Sequence, residues 1–197
     1  MYDWDCIIKQ NPSIDELIYI TNSVLVEWTN RSLCNHGYDI EMLRSYDSFF
    51  GKMLKWAERE IKIADSKYIY FINMWKYQGK IYRVQGKKWV FRKDRIEPYS
   101  RRCGLQYHNM VASWTKTYRF TKFNKIYDDV EYLFIEGNTH GNIGFDVIKF
   151  CKQSNMNEDL IFRLEHEQEV IFPISKKFVL NKYYSTREMY VDMMEER

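Results

Sequence analysis

The chain has few of the residues that break or staple a backbone. Its 197 residues include only 3 prolines and 8 glycines. No Pro-rich or Gly-Ser linker divides it, and it carries no internal repeat or low-complexity tract. Four cysteines, Cys6, Cys34, Cys103 and Cys151, and four histidines, His36, His108, His140 and His166, are scattered without a Cys-x-x-Cys pair or zinc-ligand spacing. The cysteines therefore read as reduced and mostly structural, and no metal is expected. No apolar run is long enough to span a bilayer, and Met1-Tyr-Asp-Trp-Asp5 lacks the basic and apolar regions of a secretory leader. A soluble cytoplasmic protein without a membrane partner is expected.

What is present is apolar and aromatic. Hydrophobic residues make up 45% of the chain and aromatics 17%, which excludes global disorder and is ample for one packed core. A net charge of +3 is too small to argue for nucleic-acid binding in bulk.

The first third reads as helical. Ser13 and Glu16, after Pro12, form a capping-box pattern. Leu17, Ile20, Val24 and Trp28 then recur at three- and four-residue spacing, and Asn35 and Gly37 supply the stop. A second helix is expected from Asp39, burying Ile40, Leu43, Phe50, Leu54, Ala57 and Ile61, with Gly51 as a weak point that splits it in two. The stretch from Tyr68 to Trp75 is apolar throughout, and its periodicity does not separate helix from strand.

From Lys80 the pattern becomes that of strands. Residues 80–86 alternate between Gly79 and Gly86, with Arg83 facing away from Tyr82 and Val84. A basic, aromatic-interleaved segment follows, from Lys87 to Arg95 with Arg101 and Arg102 beyond. It reads as a solvated hairpin in preference to a track for a phosphate backbone. Further strands are expected at Glu131–Glu136, Ile143–Ile148, Val170–Phe172 and around Phe178–Leu180. Residues 149–163 are polar and Asn-rich, and a charged helix is expected over Arg187–Arg197.

One stretch stands apart. Glu165, Glu167 and Glu169 alternate directly before Val170-Ile171-Phe172-Pro173. In an extended chain they would line one face, where like charges repel. The plain reading is a solvated edge strand whose charge opposes aggregation.

The other reading rests on a resemblance. Glu167-Gln168-Glu169 followed by an apolar strand and Pro173 resembles the Glu-x-Glu signature of arginine-directed mono-ADP-ribosyltransferases. Tyr82-Arg83 matches the aromatic-Arg pair on the first strand of that family's core. Ser113-Trp114-Thr115 matches its Ser-x-Ser/Thr strand, with Trp114 where the family often has Thr or Phe. The three motifs fall in family order within residues 80–180, and their wording is most similar to the small T-even phage transferases of the Mod type.

The resemblance implies an α+β fold: a helical N-terminal part, 1–78, followed by a split, twisted β-sheet core, 79–197, that binds NAD+ as a substrate. It implies transfer of ADP-ribose to arginine side chains of host proteins, with release of nicotinamide. Glu169 would hydrogen-bond the ribose and stabilise an oxocarbenium-like centre. Glu167 would orient and deprotonate the incoming guanidinium, whose pKa above ~12 demands a nearby base. Arg83 would fork onto the phosphates, with Tyr82 and Gln85 beside it. Ser113 would orient Glu169, Trp114 and Thr115 would wall the nicotinamide, residues 118–123 would cross the phosphates, and the 149–163 loop would present the target. Nothing in the sequence chooses among host transcription, translation and defence proteins as acceptor. The competing function is a non-catalytic module that binds nucleic acid or protein through residues 87–102.

Overall fold

The computed structural model describes residues 2–30, 40–86, 89–92, 95–98, 111–117, 132–173 and 178–185. The fold is α+β: helices packed on a curled antiparallel sheet.

Four helices come first: α1 (Trp4–Lys9), α2 (Ile14–Asn30), α3 (Ile40–Glu60) and α4 (Ile69–Asn73). The capping box forms as expected. The Ser13 hydroxyl accepts from the Glu16 amide at 3.2 Å, and the Glu16 carboxylate accepts from the Ser13 amide at 2.7 Å. Leu17, Val24 and Trp28 of α2 are buried, but Thr21 takes the buried place between them and Ile20 is only half-buried. The expected stop at Asn35 and Gly37 lies outside the described residues.

Gly51 does not divide the second helix, and α3 runs through it. A mid-helix glycine costs about 1 kcal/mol, and the burial of Phe49, Phe50, Met53, Leu54, Trp56 and Ala57 along the same helix outweighs that. Ile61, expected in the core, lies beyond the helix end and is exposed. The Tyr68–Trp75 ambiguity resolves as a helix. Tyr68, Phe71, Ile72 and Trp75 are buried at helical spacing, while Tyr70 points to solvent.

The strands are β1 (Lys76–Tyr77), β2 (Lys80–Gly86), β3 (Trp89–Arg92), β4 (Arg95–Pro98), β5 (Val111–Thr115), β6 (Tyr132–Asn138), β7 (Gly144–Asp146), β8 (Glu169–Pro173) and β9 (Val179–Ser185). Seven of them form one sheet in the order β1-β7-β8-β5-β2-β6-β9, every pair antiparallel. The basic segment forms a separate two-stranded ribbon, β3 with β4.

Two helices interrupt the strands, α5 (Val147–Gln153) and α6 (Glu158–Glu165). They replace the expected 149–163 loop, and α5 also shortens the expected 143–148 strand. The Asp146 carboxylate caps α5 by accepting from the Lys149 amide at 3.1 Å, and the Asn157 side chain caps α6 by accepting from the Asp159 amide at 2.8 Å. Val147, Ile148, Phe150 and Cys151 give α5 a buried face, and Leu160, Ile161 and Leu164 seat α6 against the core. The predicted Arg187–Arg197 helix and the 118–123 loop lie outside the described residues.

One face of the sheet meets the helices. Val111, Phe145 and Ile171 join a core that runs through all six helices, with Trp4, Phe49, Trp75 and Phe150 in edge-to-face and tilted ring contacts. The opposite face carries a smaller cluster of Ile81, Ala112, Trp114, Ile135, Val170, Phe172 and Phe178. No helix among the described residues is long and apolar enough to cross a membrane.

Candidate active site

The three glutamates do not share a strand. Helix α6 continues through Glu165, so that residue ends a helix and pairs with Lys152 at 2.6 Å. The chain then turns through Gln168, whose φ of 46° is left-handed, and the Gln168 side chain donates to the Glu165 carbonyl at 2.6 Å. Glu167 stands exposed in this turn. Only Glu169 enters the sheet, as the first residue of β8, and it is buried. The apolar spacing of Leu160, Ile161 and Leu164 overrides the alternation of the acids, which is why a strand pattern becomes helix, turn and strand.

The motif strands β8, β5 and β2 are neighbours at the middle of the sheet. Glu169 stands opposite Thr115, Thr115 opposite Tyr82, and Tyr82 opposite Glu136. Directly opposed residues share a face. One polar row therefore crosses four strands on the helix-bearing side, with a buried carboxylate at each end. Ser113, two residues before Thr115, lies on the same face.

Each end of the row is held by its surroundings. The Trp28 indole N–H, on α2, donates to Glu169 Oε1 at 2.9 Å, and the Trp28 ring packs edge-on against Phe50. Lys80 Nζ approaches Glu136 Oε1 at 3.1 Å. Burial, reinforced by the nearby Glu169 carboxylate, pushes the Cys151 thiol up to about 12. That side chain is a neutral packing residue at ordinary pH. Among the described residues, no group of three or more His, Cys, Asp and Glu could hold a metal ion.

Two motif residues lie on the far side. Arg83 follows Tyr82 on β2 and so faces the other way, where its guanidinium donates to the Ser113 carbonyl. Trp114 is buried in the smaller cluster, and its indole donates to the Phe172 carbonyl at 3.1 Å. Gln85 is placed by its backbone on β2 opposite Leu133, and its side chain lies outside the described residues.

The sequence reading missed Glu136 and missed Trp28 as a carboxylate partner. Trp28 was legible only as part of an apolar stripe, and Glu136 only as one residue of a strand. The long-range pairings that give them a role leave no local trace.

No protein-family model, curated protein or solved structure matches the chain. The local motifs and this geometry are thus what bear on function.

Proposed function

We propose that the protein is a mono-ADP-ribosyltransferase of the Glu-x-Glu class. It would transfer ADP-ribose from NAD+ to arginine side chains of target proteins, on a core of the ADP-ribosyltransferase type. The observation that carries the reading is the register of Tyr82, Thr115 and Glu169 across three adjacent strands. Motifs separated by up to 87 positions in the sequence (82 to 169) meet at one level of one sheet.

In this reading the bond between ribose C1′ and the nicotinamide nitrogen breaks, and the pair of electrons leaves with nicotinamide. Glu169 faces the positive charge that develops on the ribose. A carboxylate shielded from water stabilises such charge more strongly than a solvated one. Trp28 holds Glu169 in one orientation, and the Ser113 and Thr115 hydroxyls line the same face. The acceptor guanidinium nitrogen forms the new bond to C1′ and gives its proton to Glu167. Arg83 contributes by bracing β5 through the Ser113 carbonyl.

The test is incubation with labelled NAD+ and a bacterial lysate, beside Glu169→Gln. The expected outcome is labelled protein bands, with transfer reduced by about 100-fold or more in the variant. Equal labelling by both proteins would sink the assignment.

A second reading rests on the β3–β4 ribbon, which is hydrogen-bonded apart from the main sheet. By sequence it carries Arg92 and Arg95 and is bordered by Lys87, Lys88 and Lys93. A two-stranded antiparallel ribbon fits a nucleic-acid major groove. No NAD+ turnover, together with oligonucleotide affinity that falls steeply with salt, would favour this reading.

A further inference from the structure

The far end of the polar row has no part in the chemistry assigned to Glu169. Glu136 on β6 stands opposite Tyr82, Tyr82 opposite Thr115, and Thr115 opposite Glu169. Neighbouring strands lie about 4.8 Å apart, so three such steps set the two carboxylates roughly 14 Å apart along the row. Glu136 and Glu169 are buried, at 7% and 5% exposure, whereas Tyr82, Thr115 and the adjoining Ser113 are half-buried. The row thus offers two shielded acceptors with partly open hydroxyl groups between them.

That order matches the polar groups of a dinucleotide. NAD+ runs ribose, diphosphate, ribose, and when extended its two ribose diols stand about as far apart as these carboxylates. A carboxylate accepts from two hydroxyls at once, which suits a diol. Phenol and threonine hydroxyls donate to phosphate oxygens, and they hold the middle of this face because Arg83 is turned to the other side. The Thr115 oxygen accepts from the Thr117 amide at 3.2 Å, which holds that hydroxyl in place. Lys80, whose side chain is 61% exposed, reaches Glu136 at 3.1 Å and offsets part of the cost of burying its charge.

We propose that Glu136 recognises the adenosine ribose of NAD+ and excludes a dinucleotide phosphorylated there. The inference rests on the transferase reading of the same row and adds the specificity end of that site. Glu136 accepts from the adenosine 2′ and 3′ hydroxyls, while Glu169 faces the nicotinamide ribose. A phosphate on the 2′ oxygen removes one donor and sets a second anion against a buried carboxylate. NADP+ is rejected on both counts.

The experiment pairs calorimetric titration with steady-state turnover, on the unaltered protein, Glu136→Gln and Lys80→Gln. The titrants are ADP-ribose and ADP-ribose carrying a phosphate on its adenosine 2′ oxygen. The turnover substrates are NAD+, NADP+ and NAD+ lacking the adenosine 2′ hydroxyl. The unaltered protein should bind ADP-ribose at least about tenfold more tightly than its 2′-phosphate, and the deoxy substrate should raise KM about tenfold with kcat nearly kept. Glu136→Gln should raise the NAD+ KM about tenfold and shrink the preference over NADP+ by about tenfold or more. Lys80→Gln breaks the same ion pair but keeps the carboxylate, so it should retain the preference; a role confined to the pair would make the two variants alike. Thermal unfolding checks that each variant is folded, and the comparisons on the unaltered protein stand even where a variant is not. NAD+ turnover without discrimination against the 2′-phosphate, or with the same discrimination in Glu136→Gln, would overturn this inference and leave the transferase reading in place. Absence of both turnover and ADP-ribose binding would overturn the two together.

Discussion

A buried carboxylate is tolerated when a donor reaches it, and at Glu169 that donor is the Trp28 indole. Trp28→Phe keeps most of the ring packing against Phe50 and removes the N–H. Stability should fall by about 2 kcal/mol, measured by urea unfolding. On the proposed transferase reading, NAD+ turnover should fall with it, because the carboxylate loses its fixed orientation. Cys151 supplies a pH dependence at the same scale. Its folded pKa of about 12 lies above the ordinary thiol value of 9.0. The native state therefore keeps a proton that the unfolded chain releases between those values. The thiol's contribution is whole below the unfolded pKa and is lost as pH rises from about 9 to about 12. Burial likewise raises the Tyr77 phenol, with the Asp146 and Tyr82 charges adding to it, so Tyr77 acts in the same direction. Cys151→Ala should flatten the alkaline loss by up to roughly 1.4 kcal/mol per pH unit over that window. An unchanged slope would mean that the thiol titrates normally.

Among the elements, the turn between α6 and β8 decides most about the site. It takes a helix end and delivers Glu169 in register with Thr115, and it does so through one left-handed residue, Gln168. A β-branched residue is strongly disfavoured there. Gln168→Val should lower stability by about 1–2 kcal/mol, seen as a lower Tm, and should impair any chemistry that depends on Glu169. Gln168→Gly fits the same dihedral and should be far milder, although it gives up the bond to the Glu165 carbonyl.

For the molecule as a whole, closure of the smaller cluster depends on Gly137, at the irregularity between β6 and β9. A Cβ added there would stand 2.9 Å from the Phe178 carbonyl oxygen and 3.3 Å from an Ile81 side-chain carbon. Backbone at that distance yields only if β9 shifts. Gly137→Ala should cost about 1–3 kcal/mol in urea unfolding. Gly141→Ala, whose added Cβ meets nothing within 4 Å but whose φ is +82°, separates crowding from backbone strain. If the two variants proved equally mild, Gly137 would not be a close-packed position.

By itself the sequence determined what depends on neighbours along the chain. The Ser13–Glu16 box, the stripe of Leu17, Val24 and Trp28, and strands β2, β6 and β8 are set by period and capping within a few residues. Tertiary structure decided where local signals conflict or are silent. The helical fate of Tyr68–Trp75, the continuity of α3 through Gly51, and the division of Glu165, Glu167 and Glu169 among helix, turn and strand follow from which side chains find a core. So do the row from Glu136 to Glu169 and the placing of Arg83 and Trp114 on the opposite face. A strand's period states which residues share a face, but only its partners across the sheet state what that face contains.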